Sequence, residues 1–197
     1  MTSSTESAPT PSASDAECLA LTRQLRRRGT VVLSLFALAW AFAGASGTGP
    51  ATDMVPVAVE AAALAITAVA LYLGLRKDAR PSPRTVDLPA NWARGVGIVN
   101  GVELLAVVAV IAAANSSGRP AYIPAGIALV VGLHFFPLAR LYDQWQYRWT
   151  GALMTVVAVV GGVLVLAGAS AGTVRVVVGP ACAAVLWVSA CHLAVRG

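Results

Sequence analysis

The sequence predicts an all-α fold: an integral membrane bundle of six transmembrane helices with both termini cytoplasmic. Composition is the first observation behind this. Of 197 residues, 57% are hydrophobic and 12% charged, against about 45–50% apolar and about 25% charged in soluble domains. The mean hydropathy is +0.73. The second is that the apolar residues fall into six runs, each near the ~20 residues needed to cross a bilayer. The third is where the cations lie. Arg23, Arg26, Arg27, Arg28, Arg76, Lys77, Arg80, Arg84, Arg94, Arg140, Arg148 and Arg196 are on one side of that division, with only Arg119 and Arg175 on the other, 12 against 2. Loops rich in Lys and Arg stay in the cytoplasm, so the count orients the chain in the plasma membrane.

Taken in order, residues 1–28 are expected to form a disordered basic cytoplasmic tail, and residues 29–197 a six-helix transmembrane domain. The tail opens with Ser, Thr, Ala and Pro, which offer little to bury. It ends in Arg23, Arg26, Arg27 and Arg28, suited to anionic lipid headgroups. The first span is expected over about 30–46. Ala43-Gly44-Ala45 resembles a small-residue cleavage site, so a cleaved signal peptide is the alternative there. The second span, about 55–75, carries Pro56 in its first turn, where a missing N–H costs little. A basic, proline-containing loop follows. Trp92 marks the return to the interface. The third and fourth spans, about 95–114 and 121–139, are separated by a polar turn through Asn115 and Pro120. The fifth and sixth are expected over about 151–169 and 174–195. Pro56, Pro124 and Pro180 near the starts of alternate spans suit three duplicated hairpins, the alternative being coincidence, since Ala- and Val-rich helices imitate one another easily.

Inside these spans a few residues can carry chemistry. Glu60 and Glu103 are acids within apolar runs, each costing at least about 2.5–3.5 kcal/mol to insert unless neutralised or paired. Gly97 and Gly101 have the spacing that lets helices approach closely, with Asn100 and Glu103 on or beside the same face. That face is expected to pack on protein. His134 is the natural partner of Asn100 and Glu103. Counted from the cytoplasmic ends, all three lie about five to nine residues deep, and antiparallel neighbours would bring them level. Pro137 cannot donate to the Leu133 carbonyl and should bend the helix beside His134. The group could therefore bind a proton, a cation or a polar ligand, or serve as a polar packing clamp. Arg175 could pair with Glu60, or reach toward headgroups instead. Trp92, Tyr142, Trp145 and Trp149 are expected as interfacial anchors.

Other chemistry finds little support. Cys18, Cys182 and Cys191 have no metal or disulfide spacing. Cys182 and Cys191 would stand about 13 Å apart on one helix. No metal cluster, phosphate loop or nucleophile–base pair is visible, so no cofactor and no enzymatic activity are expected. The basic excess of +5 is topological, and nucleic acid is not an expected partner. The lipid bilayer is, and so is a second copy or another membrane protein.

The string Gly132-Leu133-His134-Phe135-Phe136-Pro137-Leu138-Ala139-Arg140 resembles a segment of small, uncharacterised bacterial multi-pass membrane proteins. That resemblance implies the architecture and carries no activity. Thirteen arginines against one lysine also suit a GC-rich bacterial genome. The function expected is a small transporter or channel-like protein with Glu60, Asn100, Glu103 and His134 along a polar pathway. The alternative is a structural or regulatory subunit whose polar residues set helix packing.

Overall fold

The computed structural model describes residues 13–50, 53–76, 88 and 90–196, and within them the regular structure is helical throughout. In chain order the helices are α1 (Ala13–Ala45), α2 (Met54–Leu75), α3 (Trp92–Ser116), α4 (Ile123–Leu141, entered through a 3-10 turn at Pro120–Tyr122), α5 (Gln146–Leu166) and α6 (Ala171–Arg196). All six contain a stretch long and apolar enough to cross a membrane.

The largest departure from the expected boundaries is in α1. It begins at Ala13, so residues 13–28, assigned above to a disordered tail, are helical. Ala13 to Arg28 contains neither Gly nor Pro and is rich in Ala, Leu, Gln and Arg, which favour helix. The Ser- and Pro-rich residues 1–12 lie outside the described residues, as do Lys77, Arg80 and Arg84. The basic cluster is therefore presented on a helix, and its members differ. Arg26 is buried while Arg23 and Arg28 are exposed. α5 also starts earlier than expected, absorbing the end of the aromatic connector.

Around the bundle, α6 is central and packs on α1, α2, α4 and α5. The other end of the chain of contacts is α3, which among the helices touches α4 alone. Small residues make the closest crossings. A Cβ built on Gly179 of α6 would stand 2.6 Å from the Gly44 Cα of α1, and one on Gly151 of α5 would stand 2.7 Å from the Gly132 carbonyl oxygen of α4. By contrast, Gly97 and Gly101, expected to mark a packed face, have nothing within 4 Å. Ala114 is the only buried residue of α3. The spacing is present, but α3 lies at the edge of the bundle and turns that face outward.

Three helices stop in the same way. Arg119 N–H donates to the Ala114 carbonyl at 2.8 Å, Gln144 to Ala139 at 3.0 Å and Ala169 to Leu164 at 2.9 Å. Each bond spans a left-handed residue, Gly118 (φ 67°), Asp143 (φ 47°) and Gly168 (φ 85°) respectively. This helix stop normally uses glycine, because a side chain crowds the backbone there. At the α4–α5 corner an aspartate takes its place, and Tyr142, just before it, is directed back toward the bundle.

Candidate functional site

Because α1 and α3 do not pack against each other, a cleft of about 400 Å³ opens between them. From α1 the wall is Arg28, Val32, Leu33 and Phe36; from α3 it is Trp92, Val96, Asn100 and Glu103. The α3 set recurs every three or four residues and the α1 set falls at residues 28, 32–33 and 36, each of them one face of a helix. The floor is α4, through Val131, His134, Phe135 and Leu138, and Tyr147 of α5 and Leu186 of α6 seal it from behind.

The register of α3 against α4 decides which polar groups meet. A Cβ on Gly95 would touch Leu141 at 2.8 Å, and one on Gly126 would touch Val110 at 2.6 Å. Between these two contacts, His134 Nδ1 stands 3.4 Å from Glu103 Oε2. The three pairs form a single antiparallel ladder, so the expected equal depth is realised. The side chains are 9% exposed for His134 and 20% for Glu103. The separation allows charge pairing, yet the solvent-shielded Nδ1 has no hydrogen bond of good geometry. The Val99 carbonyl of α3 also faces the imidazole. Asn100 projects into the cleft one turn before Glu103 and is exposed.

An aromatic series leads from the mouth to this pair. Trp92 meets Tyr142 edge-on with ring centroids 5.7 Å apart, Tyr142 meets Tyr147 at 6.2 Å, Tyr147 meets Phe135 at 5.6 Å and Phe135 meets His134 at 6.0 Å. Burial holds the Tyr142 phenol above its ordinary pKa, and the nearby Arg28 guanidinium pulls the other way. The phenol is thus a neutral hydroxyl at physiological pH. Trp92 and Glu103 are eleven residues apart on α3, so the acid lies about 16 Å below the mouth.

The remaining candidates lie elsewhere. Glu60 sits on the packed face of α2, in line with buried Pro56, Ala63 and Thr67, and it does not line the cleft. No ion pair joins it to Arg175: the Glu60 face of α2 meets α6 through the hydrogen bond from Trp187 to Thr67, whereas Arg175 is exposed beside buried Val174 and Val178 and leaves α6 in another direction. Of the residues expected as anchors, Trp145 and Trp149 are exposed at 55% and 62%, and Trp145 stands edge-on to His192 with centroids 6.3 Å apart. Trp92 and Tyr142 are half-buried and turn into the mouth instead. Among the described residues no group of three metal-ligating side chains comes together.

Sequence reasoning missed Tyr147, Phe36 and Arg28 as parts of this cleft. Tyr147 carried a usable signal, since it follows Tyr142 closely across a turn. Phe36 and Arg28 carried none, because the wall they form exists only through the gap between α1 and α3.

Neither the curated proteins nor the solved structures contain a significant match to this chain. Residues 95–195, which supply Asn100, Glu103 and His134, match a family of unknown function, DUF7010; the match spans about half of the chain, and the chain belongs to that family.

Proposed function

We propose that this is a small multi-pass transporter, inserted with both termini cytoplasmic, whose binding site is the Glu103–His134–Asn100 group in the cleft. The observation that carries the reading is the Glu103–His134 pair, 3.4 Å apart and opening onto about 400 Å³ of space. A carboxylate within a membrane helix is expensive unless neutralised or paired, and a clamp made only for packing has no need of a cavity beside it. Val131, buried one turn of α4 beyond His134, closes the end of the cleft away from Trp92. One closed end suits a carrier that exposes a site to each side in turn better than an open channel. Glu60, lying apart, is left out of this site.

Substituted-cysteine labelling tests the reading without knowledge of the substrate. With Cys18, Cys182 and Cys191 replaced by Ala, Asn100→Cys is exposed to a membrane-impermeant maleimide in right-side-out and in inverted vesicles. A carrier gives labelling from both sides. Labelling from neither side removes the reading.

A structural or regulatory subunit is the second reading, supported by α3. Its outer face is apolar and almost wholly unburied, leaving room for a partner helix. That reading predicts co-purification of a membrane protein and no labelling of Asn100→Cys.

A further inference from the structure

We propose that the cleft takes a lipophilic organic cation, a single ammonium or onium charge on an apolar body, which enters sideways from the bilayer between α1 and α3 and competes with a proton for the Glu103–His134 pair; this rests on the transport reading above and names its cargo class.

Charge is the first argument. The ionisable groups facing the base of the cleft are Glu103 from α3 and His134 from α4, with Tyr147 from α5 behind them. Tyr142 and Arg28 lie at the mouth, and α6 contributes only Leu186. Stripped of its proton, the Glu103–His134 pair carries one net negative charge, whichever atom holds that proton otherwise. An anion would meet a carboxylate there. A hard divalent cation such as Ca²⁺ or Mg²⁺ takes six or more oxygen ligands, where Glu103 supplies one carboxylate, and among the described residues no group of three metal-ligating side chains comes together for a softer one.

Access is the second argument. A small hydrated cation coming from the aqueous mouth must pass Arg28, which carries the same sign. The side of the cleft has no such barrier. Val32 and Phe36 of α1 are 51% and 53% exposed, and the gap to α3 runs along the depth of the cleft. An apolar body can therefore move in from the acyl chains while its charge stays near the protein.

The walls are the third argument. Trp92, Tyr142, Tyr147, Phe135 and Phe36 present aromatic rings along the cleft. Aromatic faces attract organic cations, the more strongly where water is excluded. A monovalent cation that binds as one proton leaves keeps the site neutral in both states. That exchange couples the cargo to the proton gradient with a stoichiometry of one to one.

The test is equilibrium dialysis of the purified full-length protein in detergent with tetraphenylphosphonium, and with tetraphenylborate as the anion of the same shape. Saturable binding of the phosphonium alone is expected, strengthening with pH by up to about tenfold per unit while the pair is losing its proton. Glu103→Gln should weaken it about 10- to 100-fold, the loss of a charged contact. Glu103→Asp should retain it, and His134→Gln should retain binding but move its pH midpoint. Equal binding of both ions, no saturable phosphonium binding, or an unchanged affinity in a folded Glu103→Gln protein would each overturn the proposal. The comparison of the two ions on the wild type needs no variant, so misfolding of Glu103→Gln leaves it decisive. Labelling of Asn100→Cys from both sides without phosphonium binding removes the cargo class and leaves the carrier reading standing. Labelling from neither side removes the carrier reading itself.

Discussion

Glu103 of α3 and His134 of α4 face each other at 3.4 Å, on the one pair of helices that ties α3 to the bundle. The pair is therefore both a wall of the cleft and a rung of the ladder formed by Gly95 with Leu141 and Val110 with Gly126. A double-mutant cycle of Glu103→Gln and His134→Gln should give a coupling of about 0.6–1.7 kcal/mol, the range of interhelical polar contacts in membranes. Reversible unfolding in mixed micelles measures it. Additive effects would mean the two side chains do not interact.

Glycines of α3 and α6 should respond in opposite ways to the same substitution. Gly179 lies against the α1 backbone, whereas Gly97 has nothing within 4 Å. Gly179→Leu should cost about 3 kcal/mol or more through overpacking. Gly97→Leu should be neutral or stabilising by a few tenths of a kcal/mol, since leucine favours helix over glycine. Thermal melts of the two variants check this, and equal losses would contradict the placement of α3 at the edge.

Two glycines in open space isolate the backbone. Gly118 has φ 67° at a helix stop and Gly162 lies within α5, and a Cβ on either would meet nothing within 4 Å. Gly118→Ala should destabilise by about 1–2 kcal/mol, the cost of the left-handed conformation for an L-residue. Gly162→Ala should stabilise by up to about 1 kcal/mol. A same-sign shift in midpoint for both would refute the helix-stop account.

The Tyr142 phenol supplies a pH signature. Its pKa is raised in the fold by burial, so the fold favours the neutral form. Its contribution to stability is complete below the ordinary value of about 10 and is lost as pH rises through the higher folded value. Tyr142→Phe should flatten the alkaline fall in stability. Arg28→Ala should raise the phenol pKa further, because the guanidinium favours the phenolate. Titration of labelled tyrosine by NMR reads both effects, and a lower pKa in Arg28→Ala would reverse the assignment.

How much of the site was legible in the sequence can be judged residue by residue. The meeting of Glu103 with His134 was legible, because a short turn joins their helices and antiparallel neighbours pair by arithmetic along the chain. The isolation of Glu60 from Arg175 was not. Their depths suited a pair, but depth says nothing of the direction in which each side chain leaves its helix. Gly97 and Gly101 failed for the same reason. The glycine spacing shows that a helix can be approached closely, and leaves open whether any helix is there.

Six apolar lengths, polar turns and a one-sided distribution of arginines are written locally in the chain, so the sequence by itself determined the number of helices and the place of each polar residue along its helix. Only the tertiary structure decided that Gly44 and Gly132 carry the close crossings, that Tyr147 and Phe36 line a cleft, and that α1 and α3 stand apart to form it. The reason is physical. In lipid the outside of a helix is as apolar as the inside, so the hydrophobic pattern that orients a helix in water is missing. Rotation and order around the bundle then rest on the fit of small residues, which no local pattern records.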